Sequence, residues 1–467
     1  MSLVLLALAL LSGCSADPAE LDNSASEDGA QLPLRVVVVD SPALANSINR
    51  AWRGEGGDDL QITSLSAAEL LEKTRLPADL VIYPSAMLGP LVVAGHLQPL
   101  PAPMVDHTAD AVQRPELASD TEVSWAADSY ARSFGSPTPL LVYRRDIFEA
   151  LQISPPRTWV AYQATLQQLE SHRASLDGTL PEHVVAEPLA GQDAAVTLLA
   201  RAASYVRHQN QYSGLFDYIS LEPRIASPPF QRALGELKQS MLLQGDLAAE
   251  CSSEDALHKV LDGRCWLAIS WSSHAVALLL TEATSPAGEI GFSPLPGSRV
   301  VFNPESEDWE DRERVSQVPL LAVSGRLGSV ATLAYDRGRA SQLLFFLTSQ
   351  ERANTVSLPS PATWPTWQRQ AASARGWIPA GLDAAASTLF GQAIEQASQA
   401  GDELFCLRIP GREEYLDSLA GAVNAAQAGA AADNALQLVA DQWRQITERL
   451  GLIQQKQAYR GSLGLAP

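Results

Sequence analysis

Trp271 ends the apolar run 265–270 and is followed at once by Ser272 and Ser273, so an aromatic face stands beside two small hydroxyl side chains. Ser41 and Ser85 follow two more apolar runs, 34–39 and 80–83, and Trp125 with Asp128 ends a short extended run from Val123. Trp309 sits in a polar stretch, with Trp364 and Trp367 beyond it. An aromatic ring can lie against the C–H face of a polyhydroxylated molecule while polar side chains take its hydroxyls, provided the site excludes water. Such residues at strand ends suit non-covalent capture of a small polar solute, because α/β sheets bind ligands beyond the carboxyl ends of their strands. The competing role of each is ordinary packing or capping, since tryptophan is also a frequent core residue.

Covalent chemistry has no comparable support. The chain carries no Gly-x-Ser-x-Gly elbow, no His-Glu-x-x-His, no phosphate-binding loop, no Cys-x-x-Cys and no dinucleotide-binding glycine fingerprint. Its seven histidines lack metal-ligand spacing, and His96 and His274 read as surface or core residues, so neither a metal nor a cofactor is expected. A secreted hydrolase acting on polysaccharide would need two carboxylates facing each other across a cleft. Acidic residues are abundant, but no pair of them stands out at strand ends.

The elements that would hold these residues follow from hydrophobic periodicity. Leu34–Val39 is a β-branched run stopped at Asp40-Ser41-Pro42, residues 80–83 stop at Pro84, and 140–143 form a third run; each predicts a buried strand. Phe230, Leu234, Leu237 and Met241 keep helical spacing, as do Leu436, Val439, Trp443, Ile446 and Leu450. Thr158 is a candidate N-cap for a helix that buries Trp159, Tyr162, Leu166 and Leu169. Residues 303–314 are polar, charged and aperiodic, which predicts a surface loop carrying Trp309. Strands alternating with helices predict an α/β fold, and regular elements from 34 to 450 predict interleaved domains.

With 46% apolar residues in 467, the chain can bury a sizeable core. The formal charge of -20, from 53 acidic and 33 basic residues, repels phosphate backbones and excludes nucleic acid as a partner. After the N-terminus no apolar run approaches the length of a membrane span; 278–280 is broken at once by Thr281 and Glu282, so the body reads as soluble.

Residues 1–14 differ. An apolar stretch from Leu3 leads to Leu11-Ser12-Gly13-Cys14, which resembles a bacterial lipobox, although the usual basic segment before it is missing. The resemblance implies lipidation of Cys14, a membrane anchor and a place on the periplasmic side of a bacterial membrane; the alternative is a short apolar N-terminus that happens to end in cysteine. Residues 15–32, rich in Asp, Glu, Ser and Ala, read as a flexible tether. In that oxidising compartment Cys251 and Cys265 form the candidate disulfide, with Cys406 free; the alternative is three buried thiols.

Residues 78–83 lead through Gly95 to Pro99-Leu100, and 141–148 lead to Pro155-Pro156-Arg157-Thr158-Trp159. The helix through Phe230 and Met241 is followed by a turn at Gly263 and a strand ending at Trp271, and residues 288–293 run into Pro294-Leu295-Pro296-Gly297. In this order the landmarks resemble the extracellular solute-binding proteins of the maltose-type, sugar-importing class. The chain departs from that pattern at Ser316-Gln317, where a Gly-Gly pair is usual, at Val160, where an acidic residue is common, and in the strongly acidic 303–314 stretch.

The resemblance implies a two-lobed type II periplasmic binding protein fold with a ligand cleft between the lobes. One lobe would comprise 33–136 and 300–357, the other 137–299 and 358–460, with crossings near 136, 299 and 357. It implies a monomeric substrate-binding component of an ABC transporter, without enzymatic activity, that captures a sugar or similar small polar solute and delivers it to permease subunits. Trp271, Ser272 and Ser273 would meet the ligand from one lobe and Ser41 and Ser85 from the other, with Trp125, Asp128 and Trp309 as further candidates. A ligand-sensing adaptor for a membrane receptor would use the same fold.

Overall fold

The computed structural model describes residues 32–101, 120–173, 181–273, 289–349 and 383–466. Cys14 and the tether lie outside the described residues, as do His274, Trp364, Trp367 and the expected crossing near 357.

The first lobe starts with β1 (Leu34–Val39), which pairs in parallel with β2 (Leu60–Leu65) and β3 (Leu80–Pro84), Val36 standing opposite both Ile62 and Leu80. Parallel pairing requires crossover connections. The first of these, Pro42–Gly54, has proline in its opening turn, where no backbone donor is lost, and buries Leu44, Ile48 and Ala51. A small hairpin, β4 (Ser124–Trp125) with β5 (Asp128–Ser129), precedes β6 (Arg132–Gly135). The chain then leaves for the second lobe through residues 136–138.

There β7 (Pro139–Arg144), β8 (Val185–Ala186), β9 (Leu267–Trp271) and β10 (Ile290–Pro294) form a sheet in the order β10-β7-β9-β8. The predicted helices flank it. Thr158 caps Trp159–Arg173 by accepting from the Ala161 N–H at 3.1 Å, and Pro228–Gln244 buries Phe230, Leu234, Leu237 and Met241.

Residues 303–314 are not a loop. β11 (Ser298–Asn303) and β12 (Asp308–Ser316) pair antiparallel through this stretch and pack on the helices Gln192–Val206 and Pro228–Gln244. The Trp309 ring stands edge-on to Tyr205 at 5.8 Å and to Phe302 at 5.6 Å. One face of this ribbon is solvated, and its register is irregular between Ser298 and Val300, which breaks the period-two signal. Residues 300–316, expected in the first lobe, therefore sit on second-lobe helices.

After β13 (Leu320–Leu321) the chain returns through 322–325, and β14 (Arg326–Val330) inserts between β3 and β6, antiparallel to both, giving the order β2-β1-β3-β14-β6. β15 (Leu404–Phe405) pairs with β13. Of the last helices, Arg412–Gln427 and Ala432–Leu450 pack with second-lobe helices, whereas Leu452–Ser462 packs on Leu88–Val93 and β4 of the first lobe.

Alternating residues of β1 divide between two cores. Val36 and Val38 join Leu44, Ile48 and Leu344 under the outer helices. Val37 and Val39 join a core that runs on through Tyr83 and Leu327 to Leu141, Ile269 and Trp271 of the second lobe. Each fully buried Leu or Ile of this shared core contributes about 1.5–3 kcal/mol to stability. Among the described residues no helix is long and apolar enough to cross a membrane.

Candidate functional site at the facing sheet ends

Strand direction decides which ends of the two sheets face each other. Gly135, at the end of β6, pairs with Arg326, which also pairs with Pro84; the carboxyl ends of β3 and β6 thus meet the start of β14. In the second lobe Pro139 pairs with Trp271, and Leu140 with Pro294. The four steps from Gly135 to Pro139 span at most roughly 14 Å, which holds these two sets of strand ends close together.

On the first-lobe side, Ser85 is fully buried, and its N–H donates to the Gly325 carbonyl at 2.9 Å. Ser41 precedes the helix Pro42–Gly54 and is also buried. Between them Arg326 donates to the Asp40 carbonyl at 3.3 Å, and burial lowers its pKa. Asp40 adopts φ 47°, an uncommon left-handed conformation that turns the chain sharply from β1 into the helix. On the second-lobe side, the Thr138 N–H donates to Ser272 Oγ at 3.1 Å and the Ser272 N–H to the Thr138 carbonyl at 3.0 Å. This ties the turn after β9 to the crossing, with Ser273 buried behind it. Trp271 keeps 5% exposure within the shared core.

Other candidates lie elsewhere. Trp125 is covered by two glycines: a Cβ on Gly89 would lie 2.3 Å from its ring, and one on Gly461 would lie 2.6 Å from its Nε1. It is a packing residue that locks the last helix to the first lobe. Asp128 pairs with it across the hairpin and is exposed. Trp309 packs on second-lobe helices, with Arg232 over its ring at 4.9 Å. Cys251 and Cys265 are free thiols in one second-lobe core cluster, each with its pKa raised by burial, so the structure contains no bond between them.

The structure adds groups that the sequence does not announce. Glu122 is fully buried, and its Oε2 accepts from Ser136 Oγ in the crossing. Burial pushes its pKa up to about 7 against the Ser136 hydroxyl and the Arg408 guanidinium. Arg408, also fully buried, donates to the carbonyls of Thr121 at 3.1 Å, Glu122 at 2.8 Å and Ser462 at 2.6 Å, and burial lowers its pKa to about 10. At the end of β8, Glu187 is clamped by Arg201 and by the Tyr162 hydroxyl at 2.7 Å. An isolated Glu or Arg in sequence reads as solvated surface, so none of these carried a signal.

The arrangement sets Ser41 and Ser85 at strand ends of one sheet and Trp271, Ser272 and Ser273 at a strand end of the other, all of them buried, with a short crossing joining the two sheets. Among the described residues no cluster of three or more His, Cys, Asp or Glu could hold a metal. A polar groove of about 930 Å³, bordered by Pro155, Ser293, Gln317 and Asp402, belongs to the second lobe alone.

Solved structures with this architecture are numerous. The chain is similar to maltose-bound MalE3 of T. maritima (TM-score 0.64, 14% identity, covering 88% of this chain and 99% of that one). It is also similar to the GacH receptor of Streptomyces glaucescens, solved with acarbose (TM-score 0.62, 13% identity, 90% and 99%). A third is an ABC transporter solute-binding protein of Agrobacterium radiobacter in complex with ribitol (TM-score 0.59, 17% identity, 89% and 98%). These likenesses establish the two-lobed fold. No curated protein sequence matches the chain. The sequence profile of the bacterial extracellular solute-binding proteins matches residues 54–301, more than half of the chain, and the protein is a member of that family.

Proposed function

We propose that the protein captures a sugar or sugar alcohol between its lobes and delivers it to the permease of an ABC importer, held to the outer side of a bacterial membrane by lipid on Cys14. The observation that supports this reading is the short crossing itself: the carboxyl ends of β3 and β6 meet at the start of β14, and the residues just after β6 tie through Thr138 to Ser272 beside Trp271. Hinge closure on a solute would give the permease a distinct shape to recognise. The similar proteins solved with maltose, acarbose and ribitol support a polyhydroxylated ligand. A purely binding role agrees with Glu187, a carboxylate at a strand end, being held by Arg201 and Tyr162.

Calorimetric and thermal-shift screening over mono-, di- and oligosaccharides and sugar alcohols tests the ligand class. Saturation at a hundred times Kd should stabilise the protein by about 2.7 kcal/mol. Silence across both classes, with an amino acid or peptide binding instead, would remove the sugar reading. Cys14→Ser should move the protein from the membrane to the soluble fraction; a wild type already soluble in cells would remove the anchor.

A further inference from the structure

Glu122 stands where the lobes are joined. Its Oε2 is bonded to Ser136 in the outgoing crossing. Its Oε1 lies 3.3 Å from where a Cβ on Gly325 would sit in the returning one. Ser85 Oγ borders the same spot, at 3.1 Å from that position, and as a neighbouring hydroxyl it favours the ionised form. Arg408 is the neighbouring cation, but among the described residues it donates to the peptide carbonyls of Thr121, Glu122 and Ser462 and not to the carboxylate. A carboxylate buried among neutral hydroxyls, with no cation bonded to it among the described residues, is costly, and protonation removes the cost.

We propose that Glu122 is a proton-holding latch at the interlobe junction: its carboxyl takes up a proton when the crossings close around it as they do here, and releases it when they part and admit water. The charged groups that act on it are Arg408, which favours the ionised form, and Glu403, which opposes it; Ser136 and Ser85 face it as neutral hydroxyls. A cavity of about 290 Å³ lined by Thr121, Glu403 and Ser462 leaves room for water next to Arg408 and its acceptors.

The sign follows from burial. In the arrangement seen here burial raises the pKa of Glu122 to about 7, and with the crossings apart the group returns to the ordinary carboxylate range. The closed form is therefore favoured in full below that range. Its advantage falls by up to tenfold per pH unit as pH rises towards about 7 and is spent above it. The latch rests on the reading that the lobes move against each other, and the test separates the two.

Infrared spectra and small-angle scattering of the full chain, from about pH 5 to about pH 8, should show a protonated-carboxyl band in the wild type that fades around pH 7. The radius of gyration should rise over the same window. Glu122→Gln should lack the band and keep the compact radius throughout, and Ser136→Ala should move the midpoint upward by removing a donor to the ionised form. A band that persists in Glu122→Gln, or a radius that is flat or follows pH alike in both proteins, overturns the latch. Maltose and ribitol serve as closure probes at fixed pH. If either compacts the wild type while pH does not, closure stands and the latch falls; if neither solute nor pH changes the radius, closure itself fails.

Discussion

Arg201 donates from one nitrogen to both carboxylate oxygens of Glu187, at 2.8 and 2.7 Å, with neither side chain exposed to solvent. The Trp159 ring lies 4.3 Å from the guanidinium, and the Gln244 side chain bonds both backbone groups of Glu187. Together they fix the end of β8 against the helices Trp159–Arg173 and Gln192–Val206.

Arg201→Met strands a buried carboxylate and should cost about 3–5 kcal/mol of unfolding free energy in urea titration. Adding Glu187→Gln to it should recover much of that loss. Additive losses in the double mutant would mean that the pair does not act as a unit.

At Trp271 core and ligand roles overlap, because the ring is nearly enclosed. Trp271→Ala should lower stability by about 3–5 kcal/mol. Trp271→Leu keeps more apolar bulk but no flat face, so it should lose less stability while still weakening solute binding about 5- to 150-fold, equivalent to about 1–3 kcal/mol. Unchanged affinity in calorimetry with the folded Leu variant would remove Trp271 from the site.

The thiols of Cys251 and Cys265 are buried with raised pKa, so they hold little of the reactive thiolate at neutral pH. Both should resist alkylation in the native protein and react once it is unfolded without reductant. Recovery of a Cys251–Cys265 peptide under non-reducing conditions would show that they bond in the cell envelope.

Two glycines should respond oppositely to a methyl group. A Cβ on Gly325 would sit 2.8 Å from the Gly135 carbonyl, so Gly325→Ala should lower stability by about 1–3 kcal/mol. Gly235, inside the helix Pro228–Gln244, has open space there, and Gly235→Ala should raise stability by about 0.5–1 kcal/mol. Melting curves of both check the contrast.

The strands at Leu34–Val39 and residues 80–83 and the helices through Phe230 and Trp443 were legible because their apolar spacing is local. The β11–β12 ribbon was not, since an acidic outer face and an irregular register erase its period. Trp125 and Trp271 look alike in sequence and both are nearly enclosed in the structure; Trp125 is covered by Gly89 and Gly461, remote in the chain, whereas Trp271 ends a strand beside the crossing. Glu122 and Arg408 meet through pairings across hundreds of positions, beyond any window of periodicity.

The position of β14 also governs the order in which the protein can be made. β3 and β6 are synthesised early, but the strand between them follows the whole second-lobe sheet, so both keep unpaired backbone edges until then. Such long-range pairing folds slowly, because loop closure must precede the contacts that reward it. The first-lobe sheet consequently cannot be completed until β14 has been synthesised. Until the late strand arrives, β3 and β6 present open edges of the kind that pair with other chains.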